Sequence, residues 1–111
     1  MTEEIRLIEA TCPDCRGPLS EIRNGDLTEY RCLVGHLYSA RSMLDAHSEA
    51  QENVLWAAVV ALEESAKLVQ AVAPHFVAEV AERLERQATA KLSQAEEVRR
   101  ILERLEPFQV E

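Results

Sequence analysis

Three cysteines and one histidine are the residues in this chain whose types and spacing could do chemistry: Cys12-x2-Cys15-x16-Cys32-x3-His36. Two close pairs of soft or borderline donors are the arrangement a tetrahedral Zn²⁺ site takes. One structural Zn²⁺ is the expected cofactor, and iron is the competitor because thiolates suit it too. The first pair lies in Cys12-Pro13-Asp14-Cys15-Arg16-Gly17. A tight turn there can aim backbone N–H groups at the sulfurs, with Gly17 expected to give close approach and a positive φ. In the second pair, Cys32-Leu33-Val34-Gly35-His36, Gly35 is available for another sharp turn. His47 is the competing fourth ligand, and His36 is preferred because it shares a turn with Cys32. With Cys12, Cys15, Cys32 and His36 filling all four positions, no site is left for a catalytic water, so the metal should be structural.

The same thiols allow a second chemistry, a redox switch in which Cys12 and Cys15 close into a disulfide and expel the metal. That reading makes the chain a thiol-based redox or zinc sensor. A thioredoxin-like reading also requires a βαβ context, which the pattern lacks. No Gly-x-Ser-x-Gly, His-Glu-x-x-His or phosphate-binding Gly-rich Lys loop is present, so no catalytic set can be assembled and no enzyme is expected.

The elements that must position these residues differ along the chain. Its 111 residues suit one domain or two small subdomains, expected at 1–38 and 39–111. In the first, Ile5 to Ala10, Leu19 to Arg23 and Asp26 to Cys32 read as short strands. Asn24-Gly25 is a strong hairpin signal, and a two-residue type I′ loop there pairs Arg23 with Asp26, Ile22 with Leu27 and Leu19 with Tyr30. A ribbon of this size is below what an apolar core alone usually stabilises. Structural zinc can supply an apparent stabilisation of about 10–16 kcal/mol.

From Ser39, a candidate N-cap, the pattern turns helical. Helices are expected over about 40–73 and 75–105, reversing at Ala73 to His75 with Pro74 in the first turn of the second. A first helix of that length spans about 50 Å and needs a partner. Val77, Ala81, Leu84, Ala88, Ala95, Val98, Leu102 and Leu105 recur at coiled-coil steps and supply one, with Lys91 as the polar break. A single kinked helix in a dimeric coiled coil is the alternative. The fold class is thus α+β, mostly α: a small zinc ribbon, built as a β-hairpin with a short third strand, then a long antiparallel two-helix hairpin.

Charge narrows the partners. The formal charge of −8 comes from 20 acidic against 12 basic residues. Arg6, Arg16, Arg23 and Arg31 are interleaved with Glu9, Asp14, Glu21 and Glu29, so no basic patch for nucleic acid is visible. The N-terminus has no basic and apolar leader. The longest apolar run, Val54 to Leu62, is nine residues, too short to span a membrane. An odd cysteine count fits a reducing compartment. A cytoplasmic protein without membrane partners is expected.

Cys12-Pro13-Asp14-Cys15-x-Gly17-x-Leu19 and Tyr30-Arg31-Cys32-x-Val34-Gly35-His36-x-Tyr38-Ser39, with Leu55-Trp56-Ala57-Ala58 and Ala61-Leu62-Glu63-Glu64 downstream, carry a family likeness. They resemble the C-terminal extension of a subset of bacterial chemotaxis methylesterase (CheB-like) proteins, from about residue 9 to residue 105. The resemblance implies a zinc-ribbon head, a helical hairpin, metal ligation by Cys12, Cys15, Cys32 and His36, and an association with bacterial signalling. The esterase domain of those relatives has no counterpart here, so their activity does not carry over.

Val54 to Leu62 is apolar around the whole helix, more than one hairpin seam covers. Val54, Leu55, Trp56 and Val59 are therefore the expected interaction residues. The expected function is a binding or regulatory module that docks a partner protein or a second copy of itself.

Overall fold

The computed structural model describes residues 3–111. Met1 and Thr2, which open the expected ribbon, lie outside the described residues. The sheet comes first: β1 (Glu4–Thr11), β2 (Pro18–Asn24), β3 (Leu27–Cys32) and a two-residue β4 (Leu37–Tyr38). The strands are antiparallel neighbours in chain order. Two helices follow, α1 (Ala40–Val72) and α2 (Ala78–Arg104), with a 3-10 turn at Ala73–His75 between them. The class is α+β, mostly α, as expected, with β4 as an addition that the hairpin-plus-one-strand reading did not contain.

The chain divides into two compact units, one of Met1–Gln51 with Glu106–Glu111 and one of Glu52–Leu105. Strand gives way to helix at Ser39, whereas the compact units divide further on, within α1.

The hairpin register corrects the expectation. Gly25 and Asp26 form the turn, Asn24 pairs with Leu27, and Leu19 pairs with Cys32. Gly25 has φ 66° while Asn24 and Asp26 do not take positive φ. One left-handed residue at the first turn position is the type II′ pattern, in place of type I′, which needs two. The partner strand is displaced by two residues from the expected pairing, a slip that leaves every side chain on its face. What the slip gains is a pairing of two buried residues, Leu19 and Cys32, in the core of this unit.

That core holds Cys12, Leu19, Cys32, Tyr38 and Met43, with Ile8, Tyr30 and Ala46 packed against it. Met43 and Ala46 come from the first turns of α1, which Ser39 caps. The Ser39 hydroxyl accepts from the Ser42 backbone N–H at 3.1 Å, and the Ser42 hydroxyl accepts from the Ser39 N–H at 2.9 Å. This is a reciprocal capping box with serine in the place usually held by Glu or Gln.

In the second unit the helices pack as a hairpin. Pro74 sits in the 3-10 turn, and α2 begins at Ala78, three residues later than expected. Phe76 (φ −117°, ψ 160°) and Val77 (φ −62°, ψ 154°) are extended and make the reversal between them, so no glycine is required. Val77, expected in the seam, is consequently exposed ahead of the helix. Leu55, Val59, Leu62, Ala66 and Val69 mark the covered side of α1 at four- and three-residue steps, and Ala73 continues it into the 3-10 turn. Ala95 is the buried centre of the opposing α2 stripe, with Ala81, Leu84, Ala88, Val98 and Leu102 half-buried. Arg99 reaches Glu63 at 3.1 Å and lies over the Trp56 ring at 5.6 Å. No helix of the described residues is long and apolar enough to cross a membrane.

Candidate metal centre

Two turns carry the four residues. In the first, between β1 and β2, the Arg16 N–H donates to the Cys12 carbonyl at 2.8 Å and the Cys12 N–H to the Gly17 carbonyl at 2.8 Å. The left-handed residue is Arg16 (φ 65°), not Gly17 as expected. Gly17 passes beside the Cys15 thiol, where a Cβ would stand 3.4 Å from the sulfur, an ordinary contact, so neither the expected close approach nor a positive φ demands glycine there. In the second turn, between β3 and β4, Gly35 takes φ 101° and its N–H donates to the Cys32 carbonyl at 3.2 Å. The His36 N–H then points at the Cys32 sulfur, 3.3 Å away.

These turns face each other across the end of the sheet because Leu19 pairs with Cys32 immediately beyond them. One ligand atom from each of Cys12, Cys15, Cys32 and His36 lies within 4.8 Å of the others. Cys15 Sγ is 3.6 Å from Cys32 Sγ, and His36 Nδ1 is 3.3 Å from Cys32 Sγ and 3.6 Å from Cys12 Sγ. A tetrahedron with metal–sulfur bonds near 2.3 Å has edges of roughly 3.7 Å, so these separations suit a single ion with little movement. The four can hold a metal ion, with Nδ1 as the imidazole donor. Cys12 and Cys32 are buried and belong to the core, while Cys15 and His36 are exposed.

Local dipoles prepare the sulfurs unequally. Burial pushes the Cys12 thiol up, but hydrogen bonds from the Tyr38 hydroxyl and from the Cys15 and Asp14 backbone outweigh it and bring it down to about 6. Cys32 is likewise lowered, burial being overcome by the His36 backbone N–H and the Cys15 thiol. The Gly17 backbone lowers Cys15, but burial and the two neighbouring sulfurs together raise it. His36 is raised because Cys32 and Cys12 hydrogen-bond its protonated ring. Thiolate is thus favoured at the two core positions, while the two rim ligands are shifted toward keeping their protons, against which a cation competes.

His47, the competing ligand, is engaged elsewhere: its Nε2 lies 2.9 Å from the Thr11 carbonyl. Two participants were not foreseen. The one proton of the Tyr38 hydroxyl is shared between two acceptors, the Asp14 carboxylate in a short hydrogen bond and Cys12 Sγ at 3.3 Å. Only the proximity of Asp14 to the first cysteine pair and of Tyr38 to His36 hinted at either. Of the expected interaction residues, Val59 is buried and Leu55 half-buried in the helical seam, while Val54 and Trp56 remain exposed.

No family model, curated protein or solved structure matches the chain.

Proposed function

We propose that the chain binds one Zn²⁺ through Cys12, Cys15, Cys32 and His36, and that this zinc is structural. The reading rests on one observation: three sulfurs and an imidazole nitrogen from two separate turns converge within 4.8 Å of one another, with three of the separations at 3.3–3.6 Å. Three thiolates and a histidine form a donor set suited to zinc, and four protein donors leave no coordination position for a substrate. The zinc adds to a core in which few of the unit's large apolar side chains are buried. Two of its ligands, Cys12 and Cys32, are themselves core residues.

On this reading the protein is a non-enzymatic protein-interaction or regulatory module. The zinc cap fixes the start of α1, and the helical unit offers the docking face. Val54, Trp56, Val60 and Leu68 on α1 remain exposed beside a covered seam whose largest buried side chain is a valine. The resemblance of the two cysteine turns to the CheB-like extension motivates a role in bacterial signalling in the cytoplasm. A coding context beside an esterase or receptor gene would support it, and an unrelated context across many genomes would remove that motive.

Native mass spectrometry of the purified protein tests the zinc reading. One zinc per chain, lost on chelation together with the ordered sheet, is the expected result. A metal-free protein whose sheet stays ordered overturns it. The sensor alternative separates in the same instrument: mild peroxide should leave a structural zinc in place, whereas a sensor releases it as a disulfide forms.

A further inference from the structure

The two ligand turns are joined by a contact that involves no ligand–ligand bond. Tyr38 follows His36 on β4, and its side chain is buried. Its hydroxyl reaches 24 residues back along the chain to the Asp14 carboxylate, and lies 3.3 Å from Cys12 Sγ. Asp14 lies between the two cysteines of the first turn and is itself exposed. One oxygen therefore spans from the second turn to the backbone segment and the sulfur of the first.

We propose that the Tyr38 hydroxyl and the Asp14 carboxylate act as one positioning pair, which holds the Cys12 sulfur in place and so slows the departure of the metal. The inference rests on the zinc reading above. Its physical basis is that ligands gain affinity when groups behind them fix their orientation. A thiolate sulfur on a turn can swing about χ1, and a swung Cys12 opens the tetrahedron. The single phenol O–H faces two acceptors, so the Asp14 carboxylate holds the phenol in place while the same proton is shared with the Cys12 thiolate. The carboxylate, at the surface, contributes only through this chain of contacts.

The pairing makes a specific prediction about how substitutions combine. Tyr38→Phe keeps the ring and its packing and removes only the oxygen. Asp14→Ala removes the carboxylate from an exposed position where the fold has nothing else to lose, and Asp14→Asn retains an acceptor. Transfer of zinc to a chromogenic chelator, measured on the full chain, should speed up about 10- to 100-fold in Tyr38→Phe and in Asp14→Ala. The double variant should be no faster than the worse single one, because the two residues act as a unit. Asp14→Asn should stay near wild type. In the cobalt-substituted protein, the thiolate-to-cobalt absorption should shift in Tyr38→Phe and Asp14→Ala alike, a signature that altered packing elsewhere would not produce.

Multiplying rates in the double variant, or an Asp14→Ala protein that releases zinc at the wild-type rate, overturns the pair. So does an unshifted cobalt band in Tyr38→Phe. Should Tyr38→Phe not fold, the Asp14 variants alone decide between the outcomes. A wild-type chain that takes up neither zinc nor cobalt overturns the zinc reading itself, a result distinct from any of these.

Discussion

The two compact units of this chain solve the problem of a small core in opposite ways. The sheet unit packs Cys12, Leu19, Cys32, Tyr38 and Met43 into one buried cluster, so two of its five members are thiols whose chemistry is directional. The helical unit buries Val59, Ala66, Ala73 and Ala95, small apolar groups that allow close helix approach and carry no polar function. In the first, stability depends on a specific geometry that an ion can complete. In the second, it depends on backbone hydrogen bonds within helices and on a narrow seam. The difference teaches that core size alone does not tell what a unit is for: both leave large apolar side chains outside, Leu7 and Leu33 on one and Trp56 and Leu68 on the other, but only the first core holds donors that an ion can join.

Separating the two units experimentally sharpens this contrast. Trp56 is the sole tryptophan and lies in the helical unit, so its fluorescence reports that unit, while cobalt–thiolate absorbance reports the other. The largest effect is expected from Cys32→Ala, which removes a ligand and a core side chain together. Cobalt binding should be lost, and the amide signals of β1 to β4 should collapse toward random-coil values. The Trp56 emission should change little. Joint collapse of both signals would break the comparison.

Acid should act next most strongly, and on the sheet unit alone. His36 and Cys15 are both raised, so each holds its proton to higher pH than usual, and the metal competes with that proton. Binding therefore weakens as pH falls, first against the Cys15 proton, held above the ordinary thiol value, and then against the His36 proton, held above the ordinary imidazole value. Cys12, brought down to about 6, joins the competition below that. A cobalt titration at successive pH values should show affinity falling with acid while Trp56 emission holds. An affinity independent of pH across this range would contradict the assignment of His36.

Two smaller effects test the cores directly. Leu19→Ala, at a fully buried position opposite Cys32, should cost about 3 kcal/mol in denaturant unfolding of the metal-loaded sheet unit. Ala95→Leu should overpack the helical seam at a cost of about 1–3 kcal/mol. It should lower the denaturation midpoint read by Trp56 without altering metal stoichiometry. Equal shifts in both signals from either substitution would mean that the units do not respond separately.

How far the sequence disclosed these features follows from the range of the forces involved. Ser39 was legible as a helix cap because capping is settled within four residues. The four clustered residues were legible because their spacing is set by local turns. The hairpin register was not, since Asn24-Gly25 and Gly25-Asp26 are both acceptable turns nearby in sequence. The choice fell to the burial of Leu19 against Cys32, a tertiary matter. The left-handed backbone falls on Arg16 and not on Gly17, because the turn's hydrogen bonds, Arg16 N–H to the Cys12 carbonyl and Cys12 N–H to the Gly17 carbonyl, set that position and glycine content does not. Tyr38 and Asp14 escaped notice because a contact across 24 residues leaves no local pattern.

The central claim, a closed site of three sulfurs and one nitrogen, is tested most directly by X-ray absorption at the zinc edge of the metal-loaded protein. The account predicts three sulfur neighbours near 2.3 Å and one nitrogen near 2.0 Å, with no further light-atom ligand. A shell with fewer than three sulfurs, or with a bound water oxygen, would contradict it.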